Sequence, residues 1–298
     1  MKKAWLQRDW LFPNYLPIAT FLFSMCLAIV GTWWLNFNLH NKRELDFRNK
    51  ADRIAIEIER RFSTPLYALK GTKSLFGVTQ TITQEQFQNA LKSRDLENEF
   101  RGMRGIGFVE AVEDHRLSQY IAEQKAKANA EFTYQSFDEQ AHAIHYLTKY
   151  FVSPNQSHFV PGTDLGSDPR RLAAIELAIT SAKPCMTDLI YAPPKDAKKA
   201  SVILFLPIFN SSAPLTDAAS KKRNLIGLVY SPVILQDLLA QISEVEQSGL
   251  VFRMSNVSHE KQDKAVSFDS SSEKRKPKQR KSAQFQFSRL ITVFGKDL

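Results

Sequence analysis

The chain has 298 residues, of which 43% are hydrophobic and 24% charged, and this composition excludes a disordered or fibrous protein. Its two cysteines exclude a disulfide-stabilised scaffold and a four-thiolate zinc module. Of the net charge of +9, residues 273–281 contribute +5, so the rest of the chain is too weakly basic to indicate a nucleic-acid-binding surface.

The first element is an apolar segment, residues 10–41, that contains no Asp, Glu, Lys or Arg. Its most apolar part, residues 16–35, would span about 30 Å as a helix, which is the thickness of a bilayer's hydrocarbon core. All four tryptophans lie near its edges, where amphipathic rings favour the headgroup level. A cleaved signal peptide is the alternative, but the segment is longer than a signal and ends in bulky residues. We therefore predict a transmembrane helix over residues 11–38.

Basic residues flank this segment on both sides, so the charge pattern alone does not decide its orientation. Long soluble domains cross a membrane largely regardless of their charge. We predict that residues 1–10 are cytoplasmic. The chain is then a single-pass protein of the inner (cytoplasmic) membrane, with its bulk periplasmic or extracellular.

Residues 40–76 are predicted to form a stalk helix, in which Pro65 favours a kink or a restart. One apolar stripe steps along it by three or four residues: Phe47, Ala51, Ile54, Ile58 and Phe62. The stripe either packs against the chain's own domain or pairs two copies beside the membrane, and both can hold. We predict pairing into a homodimer.

Beyond the stalk, strand-like segments alternate with short helices. Thr83 and Gln86 fit a capping box, and Asp168 before Pro169 predicts a second helix start. A long helix followed by mixed strands and short helices predicts an α+β fold with mainly antiparallel sheets. Residues 246–298 read as C-terminal strands with a basic loop at 273–281, and we expect them to stop short of a second transmembrane helix.

Motifs for catalysis or metal binding are weak. The glycines of residues 102–107 have the wrong order for a dinucleotide-binding loop, and an S-x-x-K match at 258–261 is expected by chance. No carboxylate or cysteine completes a metal set with His142, His145 and His158, so we interpret these as surface or strand histidines. We predict no enzymatic activity, no metal and no cofactor.

Residues 159–191 are the most informative stretch. Asp164 lies between Gly162 and Gly166 in a loop that joins a predicted strand to a helix, and such loops often carry recognition residues. A carboxylate only accepts hydrogen bonds, which suits the N–H donors of a small ligand. The alternative is that Asp164 caps this loop or the following helix, and the residues leave both open.

These motifs resemble the CHASE domain over roughly residues 70–240. They are Gly162-x-Asp164-Leu165-x-Ser167-Asp168-Pro169, Ala178-x-Thr180, Met186-Thr187 and the segments 204–209 and 100–112. CHASE domains are extracytoplasmic sensors of cytokinin-receptor kinases and of bacterial signalling proteins, and they are usually dimeric. The resemblance implies a long stalk helix followed by two PAS-like subdomains, with residues 77–245 as the sensor domain.

The resemblance also implies roles for individual residues. In the cytokinin receptors the corresponding Asp binds the adenine, which matches Asp164, and a backbone contact to the base matches Met186, with Thr187 next to it. The implied ligand-binding residues are Asp164, Met186, Thr187 and Phe205, and the implied supporting residues are Thr180, Gly162 and Pro207. The chain departs from the family pattern at Ser181, where the family usually has Gly, so the resemblance implies a small-molecule pocket without adenine specificity, and an adenine-like ligand is one candidate.

The sequence therefore predicts a membrane-anchored, extracytoplasmic small-molecule sensor of a signal-transduction receptor. We expect the chain to lack its second membrane span and its output domain, which in a longer parent would be a kinase or a cyclic-dinucleotide enzyme. The alternative is a membrane-tethered protein-interaction module without a small ligand, which would act through the stalk and the basic loop.

Overall fold

The computed structural model describes residues 15–77, 81–127, 132–138, 142–154, 160–191, 199–210, 214–242, 245, 250–256, 267–270 and 285–297. The chain divides into two compact units, one formed by residues 1–53 with 281–287 and the other by residues 54–280 with 288–298. The basic loop 273–281, His158 and the S-x-x-K match lie outside the described residues.

The first helix, α1, extends over Tyr15–Leu75. Among the described residues it is the one helix long and apolar enough to cross a membrane. Its large apolar side chains from Ile18 to Leu39 are exposed, as they would be if lipid surrounded them. Pro65 lies inside the helix without ending it, contrary to the predicted restart.

The second unit contains six further helices and ten strands among its described residues. The helices are α2 Gln84–Lys92, α3 Leu96–Glu99, α4 Leu117–Lys127, α5 Pro169–Ser181, α6 Ala218–Arg223 and α7 Leu235–Leu238, with two short 3₁₀ turns at Asp114–Arg116 and Leu165–Ser167. The strands are β1 Ile106–Glu113, β2 Ile144–Val152, β3 Cys185–Met186, β4 Ile190–Tyr191, β5 Ala200–Phe209, β6 Leu225–Ile234, β7 Arg253–Ser255, β8 Ser267–Asp269, β9 Thr292–Val293 and β10 Lys296–Asp297.

Six strands form one antiparallel sheet in the order β2-β1-β6-β5-β3, with β4 also pairing with β5. The C-terminal strands form two smaller two-stranded sheets, β7 with β8 and β9 with β10. A long helix followed by antiparallel sheets and short helices confirms the predicted α+β fold class.

Each face of the six-stranded sheet packs against a different helix. Alternation along β5 directs Val202, Leu204 and Leu206 into the core that contains α1, whereas Ile203 and Phe205 point into the core that contains α5. Both faces are therefore buried, which explains why β5 is almost continuously apolar.

The apolar stripe of the stalk packs into the chain's own core from Ile54 onward. Ile54, Ile58 and Phe62 are at most 4% exposed and lie in the same cluster as β5. These three residues therefore do not form the predicted dimer seam, because their surface is already covered. Dimerisation stays a prediction, and pairing along this part of α1 would use the face on which Ile56 and Tyr67 are exposed.

Candidate functional site

The loop of residues 160–168 extends the sheet beyond its edge strand β2. The Gly162 N–H donates to the Thr148 carbonyl at 2.8 Å, and the Thr148 N–H donates to the Thr163 carbonyl at 2.9 Å. Gly162 has a φ of +95°, and a Cβ there would lie 2.2 Å from the Thr133 carbonyl oxygen. The path of the loop therefore depends on glycine at this position.

Asp164 is 1% exposed, and three protein groups donate to its carboxylate. Oδ1 accepts from the N–H groups of Tyr146 at 3.0 Å and Gly166 at 2.9 Å, and Oδ2 lies 2.7 Å from Nδ1 of His145. The side chain caps the 3₁₀ turn Leu165–Ser167. The structure thus shows the capping contacts that the sequence left open, and the role of Asp164 in ligand binding stays a proposal.

His145 is a site residue that the sequence interpretation missed. Its imidazole is 6% exposed, and Nε2 lies 3.1 Å from Oδ1 of Asp114. The pairing of β1 with β2 places residue 145 opposite Val112, next to the turn that holds Asp114. A histidine within an otherwise apolar predicted strand was the signal that could have indicated a functional residue. Its partners could not be predicted, because Asp114 and Asp164 lie 31 and 19 residues away in the sequence.

A second histidine also has a carboxylate partner, because Nε2 of His142 lies 3.1 Å from Oδ1 of Asp138. Each of these two histidines therefore pairs with one or two carboxylates, which the sequence interpretation did not anticipate. Within the described part of the chain, no three His, Cys, Asp or Glu side chains are arranged to hold a metal ion.

An aromatic row crosses the α5 side of the sheet. The ring of Tyr230 stacks on Phe205 at 6.0 Å and on Phe151 at 5.8 Å between centroids. Gly107 lies opposite both Phe151 and Tyr230 in the strand register, and a Cβ on it would lie 2.2 Å from the Tyr230 ring. The glycine leaves the space that the rings fill.

Polar groups lie on the same side of the sheet as the aromatic row. The Tyr230 hydroxyl is 3.2 Å from Oγ1 of Thr148, and burial raises the pKa of this tyrosine. The guanidinium of Arg171, on α5, lies 4.1 Å from the centre of the Phe137 ring, and burial lowers its pKa. Burial, with the negative charges of Glu176 and Asp164, raises the pKa of the Tyr146 phenol to about 12. This region combines aromatic surface, hydroxyls and one cation.

Met186 and Thr187 lie at or beside β3, the opposite edge of the sheet from β2 and the Asp164 loop. The Met186 N–H donates to the Phe294 carbonyl at 3.2 Å, and Oγ1 of Thr187 accepts from the Ile203 N–H at 3.0 Å. The structure therefore does not bring these residues together with Asp164.

The remaining predicted residues also lie apart from one another. Thr180 is exposed, and its hydroxyl donates to the Glu176 carbonyl of its own helix at 2.8 Å. Pro207 lies in β5, and its carbonyl accepts from Nζ of Lys73 on α1 at 2.9 Å. Phe205 is the predicted residue that lies in the aromatic row.

Asp168 caps α5, because its carboxylate accepts from the N–H groups of Arg170 and Arg171. Burial raises its pKa, but the hydrogen bond from the Arg170 side chain and the charge of Arg171 outweigh burial and leave it lowered. A lowered pKa stabilises the fold above the unfolded value of about 4, and this contribution is lost as the pH falls through the folded value.

Replacing Asp168 with Ala is expected to reduce the free energy of unfolding by about 1–2 kcal/mol at pH 7. The reduction should shrink as the pH falls below about 4, because the wild-type carboxylate then protonates. Urea unfolding of the full chain in detergent at several pH values measures it. Asp168→Asn keeps a capping oxygen without the charge, so its loss should be smaller at pH 7 but should shrink by the same amount as the pH falls, because in both comparisons only the wild-type carboxylate titrates. A pH-independent loss in Asp168→Ala would contradict the assignment.

In a comparison with protein families, residues 80–274 match the model of the CHASE domain. The chain belongs to the CHASE family. The resemblance noted from the sequence is confirmed, and the CHASE domain here is a sensor domain of the extracytoplasmic type preceded by a candidate membrane helix. The family match reaches past residue 245, the predicted end of the sensor domain.

Two solved structures are similar to the CHASE chain at low identity. The ligand-binding domain of the Pseudomonas aeruginosa PAO1 amino acid chemoreceptor PctC, solved in complex with GABA, has 11% identity and a TM-score of 0.44, with 72% of each chain covered. A methyl-accepting chemotaxis protein X has 16% identity and a TM-score of 0.43, with 74% of this chain and 73% of the other covered. A comparison with curated proteins finds no match.

Proposed function

We propose that this CHASE protein is an extracytoplasmic small-molecule sensor of a signal-transduction receptor and that the sensor domain has no catalytic activity of its own. The match of residues 80–274 to the CHASE family carries the proposal. Residues 11–38 anchor the protein in the inner membrane, residues 1–10 are cytoplasmic, and the sensor domain lies outside. The apolar, exposed first part of α1 supports the anchor.

The ligand is proposed to bind on the α5 side of the sheet. Binding sites for small molecules combine aromatic walls with a few directed polar groups, and the row containing Phe205 and Tyr230 has Thr148 and Arg171 beside it. Ring faces favour a planar ligand, and a guanidinium favours an acceptor or anionic group. An adenine-like compound has a planar ring of this kind. We propose that the Asp164 carboxylate accepts hydrogen bonds from the N–H groups of such a ligand.

Calorimetric titration of the full chain in detergent against adenine derivatives and other small metabolites tests this function. We expect at least one compound to bind, and Thr148→Val to weaken it about tenfold because a hydrogen-bonding hydroxyl is lost. Thr72→Val is the matched control, since this hydroxyl is also buried but donates to the Ala68 carbonyl within α1, and it should leave affinity unchanged.

Two results would count against the proposal. If no compound of the panel bound, the membrane-tethered interaction module would become the better interpretation. If a compound bound equally well to wild type and Thr148→Val, the sensor function would stand and the α5 side of the sheet would be the wrong site.

A further inference from the structure

His145 contacts two carboxylates that belong to different parts of the fold. Nδ1 lies 2.7 Å from Oδ2 of Asp164, in the loop before α5, and Nε2 lies 3.1 Å from Oδ1 of Asp114, in the turn after β1. We call Asp114–His145–Asp164 the His145 bridge. It connects the end of β1 to the loop at the edge of β2.

The bridge requires protons on both ring nitrogens of His145. A neutral imidazole carries a single N–H, whereas the imidazolium donates from both nitrogens. Carboxylates at pH 7 only accept. In the neutral ring one nitrogen lone pair would therefore face a carboxylate oxygen at about 3 Å, where the contact is repulsive.

The two carboxylates differ in how freely they can move away. The Asp164 side chain is 1% exposed and is fixed by the N–H groups of Tyr146 and Gly166. The Asp114 side chain is 64% exposed and can turn into water. Loss of one proton from His145 therefore leaves the Asp164 contact in place and releases Asp114.

The other titratable groups against the ring do not supply a competing strong charge. Among the described residues these are Tyr134, with ring centres 6.3 Å apart, and His142, at 6.2 Å. His142 faces its own carboxylate, Asp138, at 3.1 Å. A proton on His142 is thus balanced locally, and Asp114 and Asp164 are the charges that act on His145.

We propose that the His145 bridge is a pH-dependent tie that is closed at acidic pH and opens at its Asp114 end as the pH rises. The turn Asp114–Arg116, and with it the end of β1, is held to the Asp164 loop only in the closed form. This property needs no ligand and does not rest on the proposed sensor function.

Thermal unfolding of the full chain in detergent, from about pH 5 to about pH 8, tests the tie. In the wild type, loss of the bridge should lower the midpoint temperature of unfolding as the pH rises. In Asp114→Asn the decrease in midpoint temperature over the same pH range should be smaller by about 2–6 °C. An asparagine can donate to or accept from the ring, so it fits either protonation state. Asp138→Asn is the matched control because it alters the other His–Asp pair, and it should keep the wild-type pH dependence.

Hydrogen exchange gives a local measurement of the same event. The Asp114 N–H donates to the Ala143 carbonyl at 3.1 Å, and its protection, corrected for intrinsic rate, should fall from pH 5 to pH 8 in wild type. In Asp114→Asn it should stay constant. Equal pH dependence of the midpoint in wild type and Asp114→Asn, or a flattened dependence in Asp138→Asn alone, would overturn the proposal.

Discussion

Replacing Asp164 with Ala is expected to reduce the free energy of unfolding of the sensor domain by about 3–5 kcal/mol, the cost of removing one partner from a buried charge pair. The Tyr146 and Gly166 N–H groups would lose their acceptor, and Nδ1 of His145 would lose its carboxylate. All three groups lie where water does not readily replace the lost oxygen atoms. Urea unfolding of the full chain, followed by circular dichroism, measures the change.

Asp164→Asn is the matched control for this prediction. Its amide oxygen can still accept from Tyr146 and Gly166, so we expect it to retain about half of the lost stability. An Asp164→Ala protein as stable as wild type would contradict the capping role. The expected loss also means that reduced ligand affinity in Asp164→Ala does not by itself demonstrate a ligand contact, which is why the binding test uses Thr148.

Replacing Gly162 with Ala should reduce the free energy of unfolding by about 3 kcal/mol. Two costs add, since a non-glycine residue at positive φ costs about 1–3 kcal/mol and overpacking costs a similar amount. The added Cβ would lie 2.2 Å from the Thr133 carbonyl oxygen and 2.5 Å from its carbon. These are backbone atoms that cannot turn away, so the loop that carries Asp164 would have to move.

Gly31→Ala provides the control for Gly162→Ala. A Cβ on Gly31 meets no atom within 4 Å, and Gly31 lies within α1, so this variant should unfold at the wild-type midpoint. The two variants compare the same added methyl group at a crowded and an open position. Equal midpoints for both would show that the loop can relax around a side chain at position 162.

Local hydrogen bonding was predictable from the sequence. The capping box of Thr83 and Gln86 and the cap of Asp168 on α5 are confirmed by the observed bonds. These motifs need only residues within three positions of one another. The α+β class also followed from the order of the elements, and the apolar length of the first helix from composition alone.

Contacts between distant segments depended on the tertiary structure. Pro65 predicted a kink or a restart in the stalk, whereas α1 continues through Pro65, and Phe62 and Leu69 on either side of it are buried. The stripe of Ile54 and Ile58 was compatible with a dimer seam or a core, and only packing against β5 selected the core.

The candidate site also combines features that the sequence predicted with contacts that only the tertiary structure shows. The sequence by itself determined that Asp164 lies in a loop before a capped helix, because turns and helix caps depend on residues close together in the chain. The membrane-length apolar segment was predictable for the same reason. Only the tertiary structure decided that Asp164 bonds to His145, and that Met186 lies at the other edge of the sheet. Strand order and register join residues far apart in sequence, and spacing along the chain carries no information about which strands pair.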